Sequence, residues 1–337
     1  MDLELGRTRA VVNGAAAKLR GCDRLSILAA LAMAATSFAA QPAQPVVGMA
    51  ALAIASSVVV LAVRSRCGRM QQWLHDFSPP VVLAILFKLA GILVPNVNDA
   101  RWDDVLASVD ARRFTQLGAA WRSALGRPDW LTDLASVAYV SFHVAPILIA
   151  VQLYRRVPRR VFDSYVLTLQ ATYFLTWIGY FAFPALGPRV PVTAQDRLLG
   201  GSVVSDVVRW ALRTFEGDML DAFPSGHVAI SLVYVAFAWR HLPRLRLALI
   251  AFEVPLVFST VYLSLHYVTD VIAGAVLAGA VALWRWGASS RDARAHISPP
   301  VHACVARPSS RMRAAHDPSD DESQRARSHG RRSPRPA

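Results

Sequence analysis

Lysine is almost missing from this chain: Lys18 and Lys88 stand against 34 arginines in 337 residues. Charge as a whole is sparse, at 18% of residues, where soluble domains carry about 25%. Acidic residues are the scarcer sign, 23 against 36 basic ones. Cysteine is scarce too: Cys22, Cys67 and Cys304 show no CxxC spacing, which excludes a disulfide framework and a cysteine zinc site. No internal repeat is present, and no run alternates at the strand period, so repeat arrays and sheets are excluded. What is abundant is apolar surface, with 54% hydrophobic residues and a mean hydropathy of +0.34. A soluble nucleic-acid binder would account for the net charge of +13 but not for that apolar content, which also excludes disorder throughout. A polytopic membrane protein with its basic residues on one side accounts for both.

Eight apolar runs are near the 17–25 residues a membrane helix needs, at about 25–41, 46–63, 80–96, 132–154, 162–183, 226–240, 246–263 and 269–286. Their connections alternate. The leader with Arg7, Arg9, Lys18, Arg20 and Arg24, the turn with Arg64, Arg66 and Arg69, the Arg155–Arg160 stretch and the turn with Arg240, Arg244 and Arg246 are basic, and ten arginines follow Trp286. The intervening connections are neutral, balanced or mixed. The positive-inside rule then predicts both termini in the cytoplasm of a cell (inner) membrane. A basic leader, a short apolar run and Ser37-Phe38-Ala39 also fit a signal peptide; the length of the leader and the second apolar run directly after it favour a retained helix.

The predicted fold class is therefore all-α, a polytopic membrane helical bundle. Its parts are a basic N-terminus (1–24), a helical pair (25–64), a membrane core (80–286) and a disordered basic tail (288–337). Two outer connections show helical apolar spacing, over 103–125 and 202–216, and read as helices at the membrane interface. Lys88 and Glu253 fall at mid-depth of two spans, where ionisable groups are usually paired, and a Lys88–Glu253 pair is the expectation. His143, inside the fourth span, reads as a packed, hydrogen-bonded residue, and Asp221 as a turn residue.

Histidine placement narrows the chemistry. Of nine histidines, only His227 and His266 fall at the outer surface, each at the N-terminus of a span. Helix N-termini offer free N–H groups and partial positive charge, so the pair points to a bound phosphate. Ser225 can cap its helix and Gly226 allows close backbone approach to an oxyanion. Asp270 follows His266 by one helical turn and can accept the proton of one ring nitrogen, leaving the other nucleophilic. Arg189, on the Pro/Gly frame of 184–188, suits bidentate phosphate contact.

Phe223-Pro224-Ser225-Gly226-His227, followed by Ser259-x(6)-His266-x(3)-Asp270, resembles the type 2 phosphatidic acid phosphatase superfamily, and Gly187-Pro188-Arg189 resembles its first motif. The resemblance covers about residues 180–285 and implies a six-helix phosphatase-type core. Two positions depart from the family pattern: Ala182 stands where a lysine usually does, and Ser259-Thr260 where Ser-Arg does. Ser-Thr there, with His-Tyr-x-x-Asp after it, resembles the inositol phosphorylceramide synthase and inositolphosphotransferase branch, which implies headgroup transfer, with a lipid phosphate or polyprenyl pyrophosphate phosphatase of the same superfamily as the alternative. The resemblance implies His266 as nucleophile, Asp270 as its orienting group and His227 as proton donor. Arg189, Ser225, Gly226, Ser259 and Thr260 would be the substrate-binding set, with no metal and no cofactor. The implied partners are a lipid-linked phosphate and membrane lipids, with no nucleic acid. A transporter, and a two-histidine, one-carboxylate metal site at His227, His266 and Asp270, are the other classes the residues allow.

Overall fold

The computed structural model describes residues 19–40, 42–188, 200–215 and 219–295, with backbone alone at 115–123, 213, 215 and 287–295. The leader before residue 19, Arg189, Cys304 and the tail from 296 lie outside the described residues. The chain separates into two units, Met1–Arg291 and Asp292–Ala337, and the first is described here.

Every regular element among the described residues is helical. The order is α1 (Gly21–Ala39), α2 (Pro45–Arg64), α3 (Arg69–Asp76), α4 (Pro79–Val97), α5 (Asp103–Leu125), α6 (Asp129–Ser141), α7 (Ala145–Arg156), α8 (Arg159–Ala182), α9 (Val203–Phe215), α10 (Gly226–His241), a short 3₁₀ turn (Pro243–Leu245), α11 (Arg246–Tyr262) and α12 (Val268–Ala295).

Five helical stretches are long and apolar enough to cross a membrane: α1, α2, the run Arg69–Val97, the run Pro243–Tyr262 and the first 19 residues of α12. Large apolar side chains such as Leu28, Val81, Ile178, Val254, Val276 and Leu283 point outward from the bundle, as lipid contact requires. Helix α10, at 16 residues, is shorter than these, and α8, at 24 residues, is long enough but less apolar. They form the centre of the bundle, where Tyr165, Phe162, Ile230 and Tyr234 are almost fully buried, so their faces meet protein instead of lipid. They can therefore carry Thr168, Thr172 and Thr176, bonded to their own helix, and Gln170, which donates to Ser26 Oγ at 2.8 Å.

The α1–α2 hairpin is built on small residues, since van der Waals packing holds apolar helices together where lipid is as apolar as the protein. Ala30, Ala34, Ala51, Ala55 and Ala62 are buried along it. A Cβ on Gly48 would stand 2.5 Å from Ser37 Oγ and 2.7 Å from the Phe38 ring.

The single span expected over 132–154 is instead two helices, α6 and α7, bent by 49° at residues 142–144. Pro146 supplies the cause: it has no N–H for the carbonyl one turn back, and its ring crowds that carbonyl. The freed turn places Phe142 and His143 on the wall of a central cavity.

The expected Lys88–Glu253 pair does not form. Glu253 on α11 accepts a hydrogen bond from Ser231 of α10 at 2.7 Å, while Lys88 on α4 faces the cavity. Periodicity places both at mid-span but does not specify which way around the helix each one points.

At the end of the bundle opposite His227 and His266, a buried ion cluster ties α1, α3 and α8 together. Asp76, 1% exposed, accepts from the Arg20 guanidinium at 2.9 Å and from both terminal nitrogens of Arg159. Asp23 is 3.0 Å from His75 Nε2 and accepts the Arg20 amide at 2.8 Å. Asp163 adds contacts to Arg20 at 3.3 Å and to Arg159 at 3.2 Å.

Candidate active site

Three chain segments meet at one end of the bundle. The first is Phe183–Gly187, which leaves α8. The second is Met219–His227, which enters α10. The third is Leu263–Asp270, which joins α11 to α12. Backbone bonds lace them: Ala222 N–H to Ala185 O at 3.0 Å, and Ser225 N–H to Asp270 O at 3.0 Å. The third segment turns sharply because Leu265 and His266 both donate to Thr260 O, at 3.1 and 3.0 Å, with Ser264 at φ 57. Gly187 sits at φ +88 and a Cβ there would stand 2.6 Å from Leu265 O, so only glycine allows the first segment so close to the third. On α12, Gly274 serves the same purpose: a Cβ would lie 2.5 Å from Ser225 O.

His266 is 3% exposed and its Nδ1 lies 3.0 Å from Ala222 O. A carbonyl only accepts, so Nδ1 carries the proton and Nε2 holds the lone pair. Among the described residues Nε2 has no hydrogen-bond partner, and His266 lines the cavity. Asp270 Oδ2 lies 3.6 Å from the same Nδ1, at ion-pair distance, and accepts the Tyr267 N–H at 2.8 Å, so the Ala222 carbonyl is the nearer acceptor for the ring proton. Both an acceptor carbonyl and a carboxylate thus face Nδ1 of His266. Among the described residues no three His, Cys, Asp or Glu side chains are placed to hold an ion.

His227 stands in an aromatic setting. Tyr139 stacks on it at 4.2 Å between centroids and places its hydroxyl 3.4 Å from Nδ1. Phe142 packs at 4.4 Å and His143 at 5.9 Å. The His227 and His266 rings are 5.6 Å apart at 60°. Tyr139, Phe142 and His143 are site residues that no sequence pattern marks; the α6–α7 break brings them there.

The two helix N-termini turn out to be unequal. Ser225 caps α10 by accepting Val228 N–H at 3.4 Å, and the Gly226 amide, bordering the cavity, has no partner among the described residues. A side chain at 226 would collide with the Tyr180 hydroxyl, 2.5 Å from the Cβ position. The α12 N-terminus is already filled. Asp110 of α5 accepts Val268 N–H at 2.7 Å, Thr269 N–H at 3.0 Å and the Thr269 hydroxyl at 2.5 Å. Of the two expected anion sites, only the one on α10 is open.

Asp110 has a companion two helical turns away. Asp103 accepts the amides of Leu186 and Gly187 at 3.0 and 2.9 Å, so one face of α5 grips both the first and the third segments. Burial, then the nearby carboxylates of Asp103, Asp270, Asp110 and Asp104, push the Tyr267 phenol up to about 12. Asp110→Ala is expected to lower kcat about tenfold to a hundredfold with KM little changed, because it loosens the turn carrying His266 without touching the cavity. Steady-state kinetics on the purified variant check this; an unchanged kcat would mean α5 is only a brace.

Ser259 and Thr260 are fully buried, do not line the cavity, and donate to Leu256 O and Val257 O of their own helix at 2.6 and 2.7 Å. Asp221, expected as a turn residue, is on the cavity wall. That cavity holds about 820 Å³ and runs from His227, His266 and Gly226 down past Trp177, Lys88 and Tyr173 to Phe77 and Pro79. Its lower walls are almost wholly apolar.

An all-helical bundle with membrane-length apolar helices, holding two histidines over a deep apolar cavity, defines a membrane protein built to meet an amphiphile. A family profile described as the PAP2 superfamily matches residues 104–284, just over half of the chain, and the protein belongs to that superfamily. Membership makes it an enzyme, a lipid phosphoesterase of the phosphatase or phosphotransferase type. A search of curated proteins returned no match, and a search of solved structures returned none.

Proposed function

We propose that the protein cleaves a lipid-linked phosphoester through a phosphohistidine on His266. The observation that carries this reading is the His266 ring itself: Nδ1–H is tied to Ala222 O, and Nε2 is turned to the cavity, 5.6 Å between centroids from His227. His266 Nε2 attacks phosphorus; the ester P–O bond breaks, and the leaving oxygen takes a proton from His227. Asp270 stabilises the positive charge that develops on the His266 ring. The Gly226 amide and the α10 dipole meet the equatorial oxygens, and Arg189 is assigned to the same group from the sequence. Water or an acceptor hydroxyl then attacks phosphorus, gives its proton to His227, and breaks the P–N bond.

Hydrolysis and headgroup transfer share these steps and differ only in the acceptor. Transfer of a phosphoinositol-type headgroup is the favoured form, because Ala182 and Thr260 stand where the family carries cations and a diester needs fewer of them than a dianionic monoester. With the basic connections placed inside, the histidines face the extracytoplasmic side and both termini the cytoplasm. The reaction uses no metal or cofactor in this reading. Purified protein in vesicles, offered phosphatidic acid, a polyprenyl pyrophosphate and phosphatidylinositol separately, tests it. A new phosphodiester marks transfer and free phosphate marks hydrolysis; no turnover of any of the three overturns it.

A further inference from the structure

One face of α8 walls the cavity along most of the helix: Phe162, Val166, Leu169, Tyr173, Trp177 and Tyr180 recur every three or four residues, and all border it. From Phe162 to Tyr180 that wall rises about 27 Å, at about 1.5 Å per residue. Its upper end is the site itself, where the Tyr180 hydroxyl borders Gly226. A hydrocarbon core measures about 30 Å across both leaflets, so the cavity is deeper than one leaflet. A chain held in it is ended by the protein, at the cavity floor, and not by the membrane midplane.

That floor is aromatic and pinned. Phe77 packs against Tyr154 at 5.2 Å and Phe162 at 5.9 Å between ring centroids. The Arg159 guanidinium lies over the Tyr154 and Phe162 rings, 5.3 and 5.2 Å from their centroids. Arg159 is held in turn by Asp76, which borders the cavity next to Phe77. An apolar chain that reaches this level meets rings that cannot move without loosening the ion cluster. Beyond them it would have to desolvate charge.

We propose that Phe77 and Phe162 set the longest lipid chain the protein accepts, about 20 carbons in extended form, since each extended bond advances about 1.2 Å. Each added carbon buries more apolar surface until the floor is met, and further carbons must fold back or leave through the side. The proposal rests on the phosphate being held at His266 and Gly226, from which the chain is measured.

Straight-chain alkyl phosphates of about 12 to about 26 carbons, offered to the purified protein, bracket that limit. For the wild type, kcat/KM is expected to climb with length to about 20 carbons and to fall at least about threefold by about 24. Ala150, on α7, borders the cavity one helical turn from Tyr154 towards the histidines. Ala150→Phe thus raises the floor by about 6 Å and is expected to lower the limit by about five carbons. Phe77→Ala opens the floor and is expected to raise the limit. Melting temperatures verify that both variants are folded, with Phe77→Leu as the milder second variant. The rise in melting temperature that each alkyl phosphate gives His266→Ala reads the same series as binding. A response that stays flat past about 20 carbons would mean that the chain leaves sideways between Ile85 and Ile147, both on the cavity wall and both exposed. That result, a limit that no variant moves, or no response at any length overturns the proposal. A limit in binding with activity retained in His266→Ala would overturn the nucleophile alone; activity lost there with no limit would overturn the floor alone.

Discussion

Replacing His266 by alanine is expected to abolish turnover, by at least about 10³-fold in kcat, with substrate binding largely kept. In the proposed mechanism His266 is the nucleophile, and His227 is held differently. His227 has its Nδ1 beside the Tyr139 hydroxyl and lies at the start of α10, whereas His266 Nδ1 faces the Ala222 carbonyl and the Asp270 carboxylate. His227→Ala should fall in the range of about 10² to 10⁴ for lost acid–base catalysis, and a substrate with a good leaving group should recover much of that loss. The same substrate should not rescue His266→Ala. Rapid acid-free quenching with a labelled phosphate lipid reads the intermediate directly: label on the protein in wild type, none in His266→Ala. Turnover persisting in His266→Ala would end the phosphohistidine reading.

The other large effect is expected far from the chemistry. Asp76→Ala should cost about 3 kcal/mol of stability, because it strands two buried or half-buried guanidinium groups at once. The Asp76 side chain is fully buried, while Arg20 is 19% exposed and Arg159 37% exposed, which lets water soften the loss on the Arg159 side. Asp163, at 33% exposure, shares the same two arginines and its removal should cost well under half as much. Unfolding of the purified variants in mixed micelles measures both. Equal stabilities for the two would mean that the cluster is spread evenly and Asp76 is not its centre.

Much of the bundle is legible along the chain because membrane helices must be long, apolar runs closed by charge. The expected spans all fall on helices, and the expected interface helices 103–125 and 202–216 match α5 and Val203–Phe215 closely. Where a span carries polar residues, as α8 does, its central burial accommodates them. The bend between α6 and α7 is also written in the chain, at Pro146, but hydropathy averaged over a window passes over a single imino acid.

The site is legible where chemistry demands a fixed local spacing. Ser225, Gly226 and His227 form a cap and N-terminus; His266 and Asp270 stand one turn apart. What supports them is not local. Asp103 reaches Gly187 across 84 residues and Asp110 reaches Val268 across 158, so no window of sequence contains both partners. Likewise the nearer acceptor of the His266 ring proton is a backbone carbonyl, Ala222 O, whose identity leaves no trace in residue type.

The scarcity of lysine noticed at the outset divides along the same line. By itself the sequence determines an all-helical, membrane-type chain with a PSGH-and-histidine site, since hydropathy, helix punctuation and capping are properties of neighbours in the chain. Tertiary structure decides the rest. It takes the nearly unique Lys88 away from Glu253 and turns it into the cavity, and it fills one helix N-terminus with Asp110 while leaving the other open. It also gathers Arg20, Asp76 and Arg159 into one buried cluster. Those outcomes depend on the rotation of each helix about its axis and on contacts between distant turns, which packing of the whole bundle selects.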